Sequence, residues 1–91
     1  MKDIIYKTNG EVIETSPKNG NDYSLEELKE IVGVYIEIIY LTENKIMVIN
    51  DECKLINLPH NENATTLYRI CLDTIDFIVG DVLVCNTNRI R

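Results

Sequence analysis

The sequence predicts an α+β fold: one small domain with a mainly antiparallel sheet and two helices, in the order β-β-α-β-β-α-β. Three observations predict this class, namely short runs rich in Ile and Val, turn residues between those runs, and two segments with the apolar spacing of helices. The chain has 91 residues, too few for a second core, so residues 1–91 are expected to form a single domain.

A hairpin is predicted at the start of the chain, with strands near residues 2–8 and 11–15. The connecting Asn9-Gly10 pair is a strong hairpin signal, because both residues tolerate the positive φ of a type I′ turn. Residues 16–22 then contain proline, glycine and asparagine without any periodicity, which predicts a loop.

The first helix is predicted to begin at Ser24. Ser24 and Glu27 have the spacing of a capping box, in which each side chain accepts from the backbone N–H of the other residue. Gly33 is expected to end the helix in the left-handed conformation, which costs glycine little. The apolar residues at helical spacing are Leu25, Leu28, Ile31 and Val32.

Two further strands are predicted over residues 34–41 and 45–50, joined as an antiparallel hairpin, and a short extended piece follows near 53–56. Alternate residues of the first of these strands form two faces, and the second face is too apolar for full exposure. We expect it to meet a second layer or another subunit. That face carries Tyr35, Glu37, Ile39 and Leu41.

The second helix is predicted after Pro59, which disfavours helical geometry at the residue before it. Asn61 is placed to cap this helix. Residues 76–85 are predicted to form two short strand pieces bent at Gly80, and the polar tail, 86–91, is expected to fray. The apolar residues at helical spacing are Ala64, Leu67, Tyr68 and Cys71.

Charge and composition argue against several functions. Nine basic and fifteen acidic residues give a formal net charge of −6, which argues against a protein that binds duplex nucleic acid. The same charge suits docking on a basic protein surface, and a few local cations still suffice to bind a small anion. No signal peptide and no membrane-spanning run is evident, so a cytoplasmic protein is expected. So short a chain buries little of its surface, and forming a homo-oligomer would bury more, so a homo-oligomer remains an alternative.

No catalytic or metal-binding motif is evident. The three cysteines lack C-x-x-C spacing and there is one histidine, so reduced thiols and no metal site are expected. The glycine-rich phosphate-binding and dinucleotide-binding motifs and the H-E-x-x-H zinc motif are all absent. We therefore predict a protein that is not an enzyme and needs no cofactor.

The least generic stretch is NDECKLINLPHNENATTLY, residues 50–68, which is more polar than its surroundings. Lys54 and Arg69 would converge on an anion if the second helix folded back over this stretch, with the amides at the helix start as further donors. His60 is expected either to be solvated or to contact a ligand or partner. Glu37 interrupts an apolar strand, and either faces solvent at a sheet edge or forms an ion pair.

Three blocks stand out in order along the chain, within about residues 25–84: EELKEIVGVYIEIIYL, INDECKLINLPHNENAT and DFIVGDVLV. Together they resemble the family called domain of unknown function 3846, which occurs in phage, plasmid and other mobile-element proteins. The resemblance implies a mobile-element origin and no established activity. The matching positions are Val32, Gly33, Tyr35, Ile36, Glu37, Asn50, Glu52, Lys54, Leu58, Pro59, Asn61, Asp76, Ile78 and Gly80.

The chain departs from the family pattern at two places. Val34 replaces the second glycine of a pair, and Glu62-Asn63 stands where arginine is expected, so a basic anion site at the second helix is weakened. The asparagines in the matching blocks also suit a structural role, because an asparagine amide closes turns by bonding free backbone groups. The candidate binding residues are Tyr35, Glu37, Asn50, Glu52, Lys54, His60, Asn61 and Arg69.

Three functions are open at this stage. The first is an accessory protein of a phage or mobile element that binds and neutralises a host protein, such as a defence factor, through its acidic surface. The second is an oligomeric sponge that sequesters a small nucleotide-like signalling ligand, with Lys54, Arg69 and the start of the second helix as its pocket. The third is a structural or regulatory interaction domain of the element itself. The acidity favours the first.

Overall fold

The structure, a computed structural model, describes residues 3–33, 35–50 and 58–89, and within them the predicted α+β order β-β-α-β-β-α-β is confirmed. The elements are β1 (Asp3–Tyr6), β2 (Val12–Thr15), α1 (Leu25–Val32), β3 (Ile36–Tyr40), β4 (Lys45–Asn50), α2 (Glu62–Leu72), β5 (Val82–Asn86) and a 3₁₀ turn (Thr87–Arg89). All neighbouring strands are antiparallel, in the sheet order β2-β1-β5-β4-β3. The last strand, β5, therefore lies at the centre of the sheet.

One helix packs on each face of the sheet. Because side chains alternate along a strand, neighbouring residues of β4 and β5 enter two different cores. The α1 face holds Tyr23, Leu28, Val32, Ile46, Val48, Leu83 and Cys85. The α2 face holds Leu41, Met47, Ile49, Ala64, Ile78, Val82 and Val84. The second face of β3 packs Ile39 and Leu41 into the latter core, so it meets a second layer within the chain.

The first hairpin is confirmed, but the predicted type I′ turn at its end was wrong. The backbone N–H of Lys7 donates to Glu11 O at 2.9 Å, and that of Gly10 donates to Lys7 O at 3.1 Å, which makes the loop three residues long. Only Gly10 of the Asn9-Gly10 pair has a positive φ, +93°. The side chain of Asn9 instead accepts from the N–H of Glu11 at 2.9 Å, and this bond stabilises the longer loop.

The capping box of α1 is confirmed. The Ser24 hydroxyl accepts from the N–H of Glu27 at 3.3 Å, and the Glu27 carboxylate accepts from the N–H of Ser24 at 3.1 Å. Gly33 ends the helix as predicted, but with φ +121° and ψ 179° it lies outside the left-handed helical region that was expected.

The predicted fraying of the polar tail was wrong for the described residues. The N–H of Thr87 donates to Asn44 O at 2.9 Å, and the N–H of Tyr23 donates to Arg89 O at 2.6 Å. The Arg89 guanidinium also lies 3.7 Å from the buried carboxylate of Asp3. The tail is held because it supplies a cation and an acceptor that groups in the fold require.

Candidate functional site

Asn61, one of the candidate binding residues, is completely buried and uses its side chain inside the protein. Its Oδ1 accepts from the N–H of Ala64 at 3.1 Å, so the predicted cap of α2 is confirmed. Its Nδ2 donates to Tyr6 O and to Gly80 O, both at 2.8 Å. Both amide hydrogens are therefore engaged, and the residue fastens the start of α2 to β1 and to the entry of β5.

The described end of the polar stretch pairs with the segment before β5. The N–H of Gly80 donates to Pro59 O at 2.8 Å, and the N–H of Asn61 donates to Ile78 O at 2.9 Å. Gly80 has φ +79°, and a Cβ there would lie 2.9 Å from Leu58 Cδ1. Two of the three sequence blocks of the family resemblance thus meet in one close backbone contact.

His60 is exposed and lies on the outside of this junction. Its Nε2 is 3.3 Å from the hydroxyl of Thr65, and its ring centroid is 5.9 Å from that of Phe77. Thr65 is buried, and its hydroxyl also accepts from the N–H of Ile78 at 2.9 Å. The imidazole therefore packs against the polar link between α2 and the strand entry.

A groove of about 320 Å³ lies between the β1–β2 turn and the start of α2. Its lysine, Lys7, is 3.6 Å from the carboxylate of Asp81, and Glu62 adds a negative charge on the helix side. An anion bound in this groove would be attracted by Lys7 but repelled by the carboxylates of Asp81 and Glu62. The lining residues are Lys7, Thr8, Asn9, Gly10, His60, Glu62 and Asn63.

Arg69 does not lie at the start of α2, where the predicted anion pocket would need it. Its Nε donates to Asp76 O at 2.8 Å and a terminal nitrogen donates to Ile75 O at 3.0 Å, so the guanidinium holds the loop after the helix. It is about 10 Å along the helix axis from Glu62. The other predicted contributors, Glu52 and Lys54, lie outside the described residues.

The remaining candidates lie at the β3 side of the sheet. Asn50 is the last residue of β4, 8% exposed, and its side chain lies beside Gly33. Tyr35 is 58% exposed just before β3, and the Glu37 side chain is exposed on the strand itself. Because Asn61 instead joins β1 and β5, the candidate residues are dispersed over the molecule and do not converge on one pocket.

A buried polar group that the sequence did not indicate joins the two ends of the chain. The Tyr23 hydroxyl donates to Asp3 Oδ2 at 2.8 Å, beside the Arg89 guanidinium, and Asp3 is 2% exposed. The other carboxylate oxygen of Asp3, Oδ1, is also buried and has no hydrogen-bond partner in the part of the chain that the structure describes. Burial is the main cause that raises the pKa of Tyr23 above its usual range, and the hydrogen bond to Asp3 is the second.

Burial likewise raises the pKa of the Cys85 thiol to about 12, which makes this thiol unreactive at neutral pH.

One sequence signal pointed to the burial of Tyr23. An apolar residue just before a helix cap often packs against the fourth residue of the helix, an arrangement called the hydrophobic staple. Tyr23 and Leu28 occupy these two positions around Ser24, and they share the core of the α1 face. The contact of Tyr23 with Asp3 had no such local signal, since the two residues are 20 positions apart.

Within residues 3–33, 35–50 and 58–89, no three His, Cys, Asp or Glu side chains are grouped so as to hold a metal ion. None of the helices in these ranges has the length and apolar character needed to cross a membrane. Cys71 and Cys85 are both free thiols.

Most of the described cations are bound within the chain, whereas several of the described carboxylates are not. Four of the six described cations are engaged within the chain: Lys7, Lys18 and Arg89 pair with carboxylates, and Arg69 binds carbonyl groups. Several exposed carboxylates, in contrast, make no hydrogen bond or ion pair with the described residues. These are Glu26, Glu37, Glu43, Glu62 and Asp73.

The comparisons with known proteins give one match. A family model described as Domain of unknown function (DUF3846) matches residues 1–90, so the likeness extends beyond the three sequence blocks to the first hairpin and the docked tail. No curated protein and no solved structure matches the chain.

Proposed function

This chain belongs to the family described as Domain of unknown function (DUF3846), and we propose that it is a non-enzymatic accessory protein that binds a host protein and neutralises it. The element that encodes it is a phage or another mobile element, as the resemblance of its sequence blocks implies. Binding occurs through the acidic surface, and the partner offers a basic patch. A host defence factor that uses its basic patch for nucleic acid fits this description.

One observation supports the proposal: among the described residues, more carboxylates than cations are left without an internal partner. Five exposed carboxylates make no bond with the described residues, whereas only Lys29 and Lys45 remain among the described cations. Carboxylates that are not neutralised within the chain make the local electrostatic potential more negative. This potential speeds the encounter with a positively charged surface. Glu26 lies on α1, Glu43 in the β3–β4 turn and Glu62 at the start of α2, so exposed carboxylates lie on several sides of the molecule. The groove at α2, with its paired lysine, supports small-anion capture less well.

The proposal is tested with a variant that replaces Glu26, Glu43 and Glu62 by Gln. These side chains are exposed and make no bond with the described residues, so the fold should be retained, as far-UV circular dichroism will check. A matched control replaces Lys29 and Lys45 by Gln, which makes the surface more acidic. Host proteins that bind wild type at low salt are identified, purified and assayed with and without the protein.

We expect a basic host protein that loses its activity on binding. Its affinity should fall at least about tenfold in the glutamine variant and with rising salt, and should be kept or increased in the lysine control. Binding that is insensitive to salt and to the three substitutions would overturn the acidic-surface mechanism. A bound protein whose activity is unchanged would overturn neutralisation.

A further inference from the structure

The edge of the sheet at β3 is apolar and unpaired among the described residues. β3 is an outermost strand, and two of its side chains on the α1 face, Ile38 and Tyr40, are 36% and 66% exposed. Edge strands usually carry lysine, proline or a bulge that discourages pairing with another strand. Glu37 is the one charged residue of β3, and its side chain lies on the opposite face.

The hydrogen bonds of the β3–β4 hairpin show which backbone groups point outward. The N–H of Leu41 donates to Lys45 O at 2.9 Å, so Leu41 directs its backbone N–H toward β4. In an antiparallel ladder this direction alternates along the strand, and Glu37 and Ile39 therefore also direct their backbone groups to β4. It follows that Ile36, Ile38 and Tyr40 direct their N–H and C=O groups away from the sheet.

We propose that this edge binds the β3 edge of a second copy of the chain, in an antiparallel pair centred on Ile38. In this register Ile38 faces Ile38 of the partner subunit, and Ile36 faces Tyr40 of the partner subunit. Each of the three facing pairs exchanges two hydrogen bonds, so every outward group of the strand is satisfied. The two sheets become one continuous sheet across the interface.

Charge selects the same register. Centring the pair on Glu37 would place two carboxylates directly opposite each other, which destabilises a strand pair. Centring it on Ile39 would leave Ile36 without a partner. In the proposed register Glu37 faces Ile39 of the partner subunit, while Ile38 and Tyr40 form an apolar stripe on the α1 face.

The other edge of the sheet fits a second copy less well. β2 has only four residues. The alternation starts here from the bond between Lys7 and Glu11, and it leaves only Val12 and Glu14 with backbone groups that point outward.

A single pair of strands buries an area at the low end of protein interfaces, below about 1,200 Å². The dimer is therefore expected to be weak and to depend on concentration in the micromolar to millimolar range.

Sedimentation velocity of the full chain over this range tests the proposal, with Ile38→Lys as the disrupting variant and Val12→Lys as the matched control at the other edge. Both side chains are partly exposed, and circular dichroism will check folding; Tyr40→Lys replaces the first variant if that one fails to fold. We expect dimers in wild type and in the control, and monomers in the variant. Raised salt and Glu37→Gln should preserve or tighten the dimer.

Amide hydrogen exchange measured at low and high concentration locates the contact. The amides of Ile36, Ile38 and Tyr40 should exchange more slowly at high concentration, whereas that of Val12 should not change. Monomers at millimolar concentration, or equal dissociation by Val12→Lys, would overturn the proposal. Because the dimer is apolar and insensitive to salt, its failure is distinct from a failure of the acidic-surface mechanism.

Discussion

Gly33 and the side-chain amide of Asn50 are in such close contact that a Cβ on Gly33 would lie 2.5 Å from Nδ2 and 3.4 Å from Cγ of Asn50. The contact joins the end of α1 to the end of β4, two elements that are adjacent in space but not in sequence. Gly33 also has φ +121°, which side chains rarely adopt. Glycine is therefore required at this position both for its conformation and for the space that Asn50 occupies.

Replacing Gly33 by Ala should destabilise the protein by about 2–4 kcal/mol, because strain at positive φ adds to the clash with the Asn50 amide. The matched control is Gly20→Ala. Gly20 has φ +75° but nothing within 4 Å of the new Cβ, so only the conformational cost of about 1–2 kcal/mol is expected. Urea unfolding measures both. Equal losses would show that the contact with Asn50 contributes nothing beyond backbone conformation.

Asn61→Asp separates the two functions of this side chain. The carboxylate keeps the acceptor that caps α2 but loses both donors, and it places negative charge beside the carbonyl oxygens of Tyr6 and Gly80. We expect a loss of about 3–5 kcal/mol. Ser24→Ala removes only a cap, from α1, and should cost about 1 kcal/mol. If thermal unfolding gives similar losses for the two variants, capping alone explains Asn61.

The predictions from sequence that hold are those with a local cause. β4 has the predicted bounds, Lys45–Asn50, and both helices begin at the predicted caps, Ser24 and Asn61. Each of these features is decided by residues within a few positions. The turn at Asn9 and the docked tail were predicted wrongly, because the first depends on the loop length that the strand register permits and the second on a partner at the other end of the chain.

In the candidate site, too, the sequence predicted the local contacts but not the contacts between residues distant in sequence. The cap function of Asn61 was visible in the sequence, but its bonds to Tyr6 and Gly80 join residues 55 and 19 positions away, which no periodicity indicates. Arg69 was predicted to act with the start of α2, whereas its nearest acceptors are the carbonyls of the loop that follows the helix. The polar side chain of Asn61 therefore has a structural cause, since it bonds the backbone where residues 58–61 pair with residues 78–80.

The buried Tyr23 hydroxyl predicts a loss of stability in alkali. Its pKa is raised in the folded state, so the unfolded chain loses this proton first as pH rises, and the free energy of unfolding falls from about pH 9–10 upward. The Cys85 thiol, with its pKa raised to about 12, acts in the same direction. Below these pH values the contribution is fully present. Unfolding by urea at several pH values will measure it.

Tyr23→Phe isolates the tyrosine contribution. At neutral pH it should cost about 1–3 kcal/mol, because Asp3 loses its hydroxyl donor in a buried position. Above pH 10 the variant should lose stability less steeply than wild type. Tyr35→Phe, at an exposed tyrosine, is the control and should change neither quantity. Parallel pH profiles for wild type and Tyr23→Phe would contradict the assignment.

Arg69→Lys tests whether this guanidinium holds a loop or an anion. Lysine keeps the charge but cannot donate to two carbonyls in the fixed geometry of arginine, so the bonds to Ile75 O and Asp76 O should weaken. We expect faster amide exchange over residues 74–77 and a small loss of stability, about 0.5–1.5 kcal/mol. Inorganic phosphate should leave the melting temperature of wild type and variant unchanged. If phosphate instead stabilised wild type and not the variant, Arg69 would be an anion ligand and the sponge function would regain support.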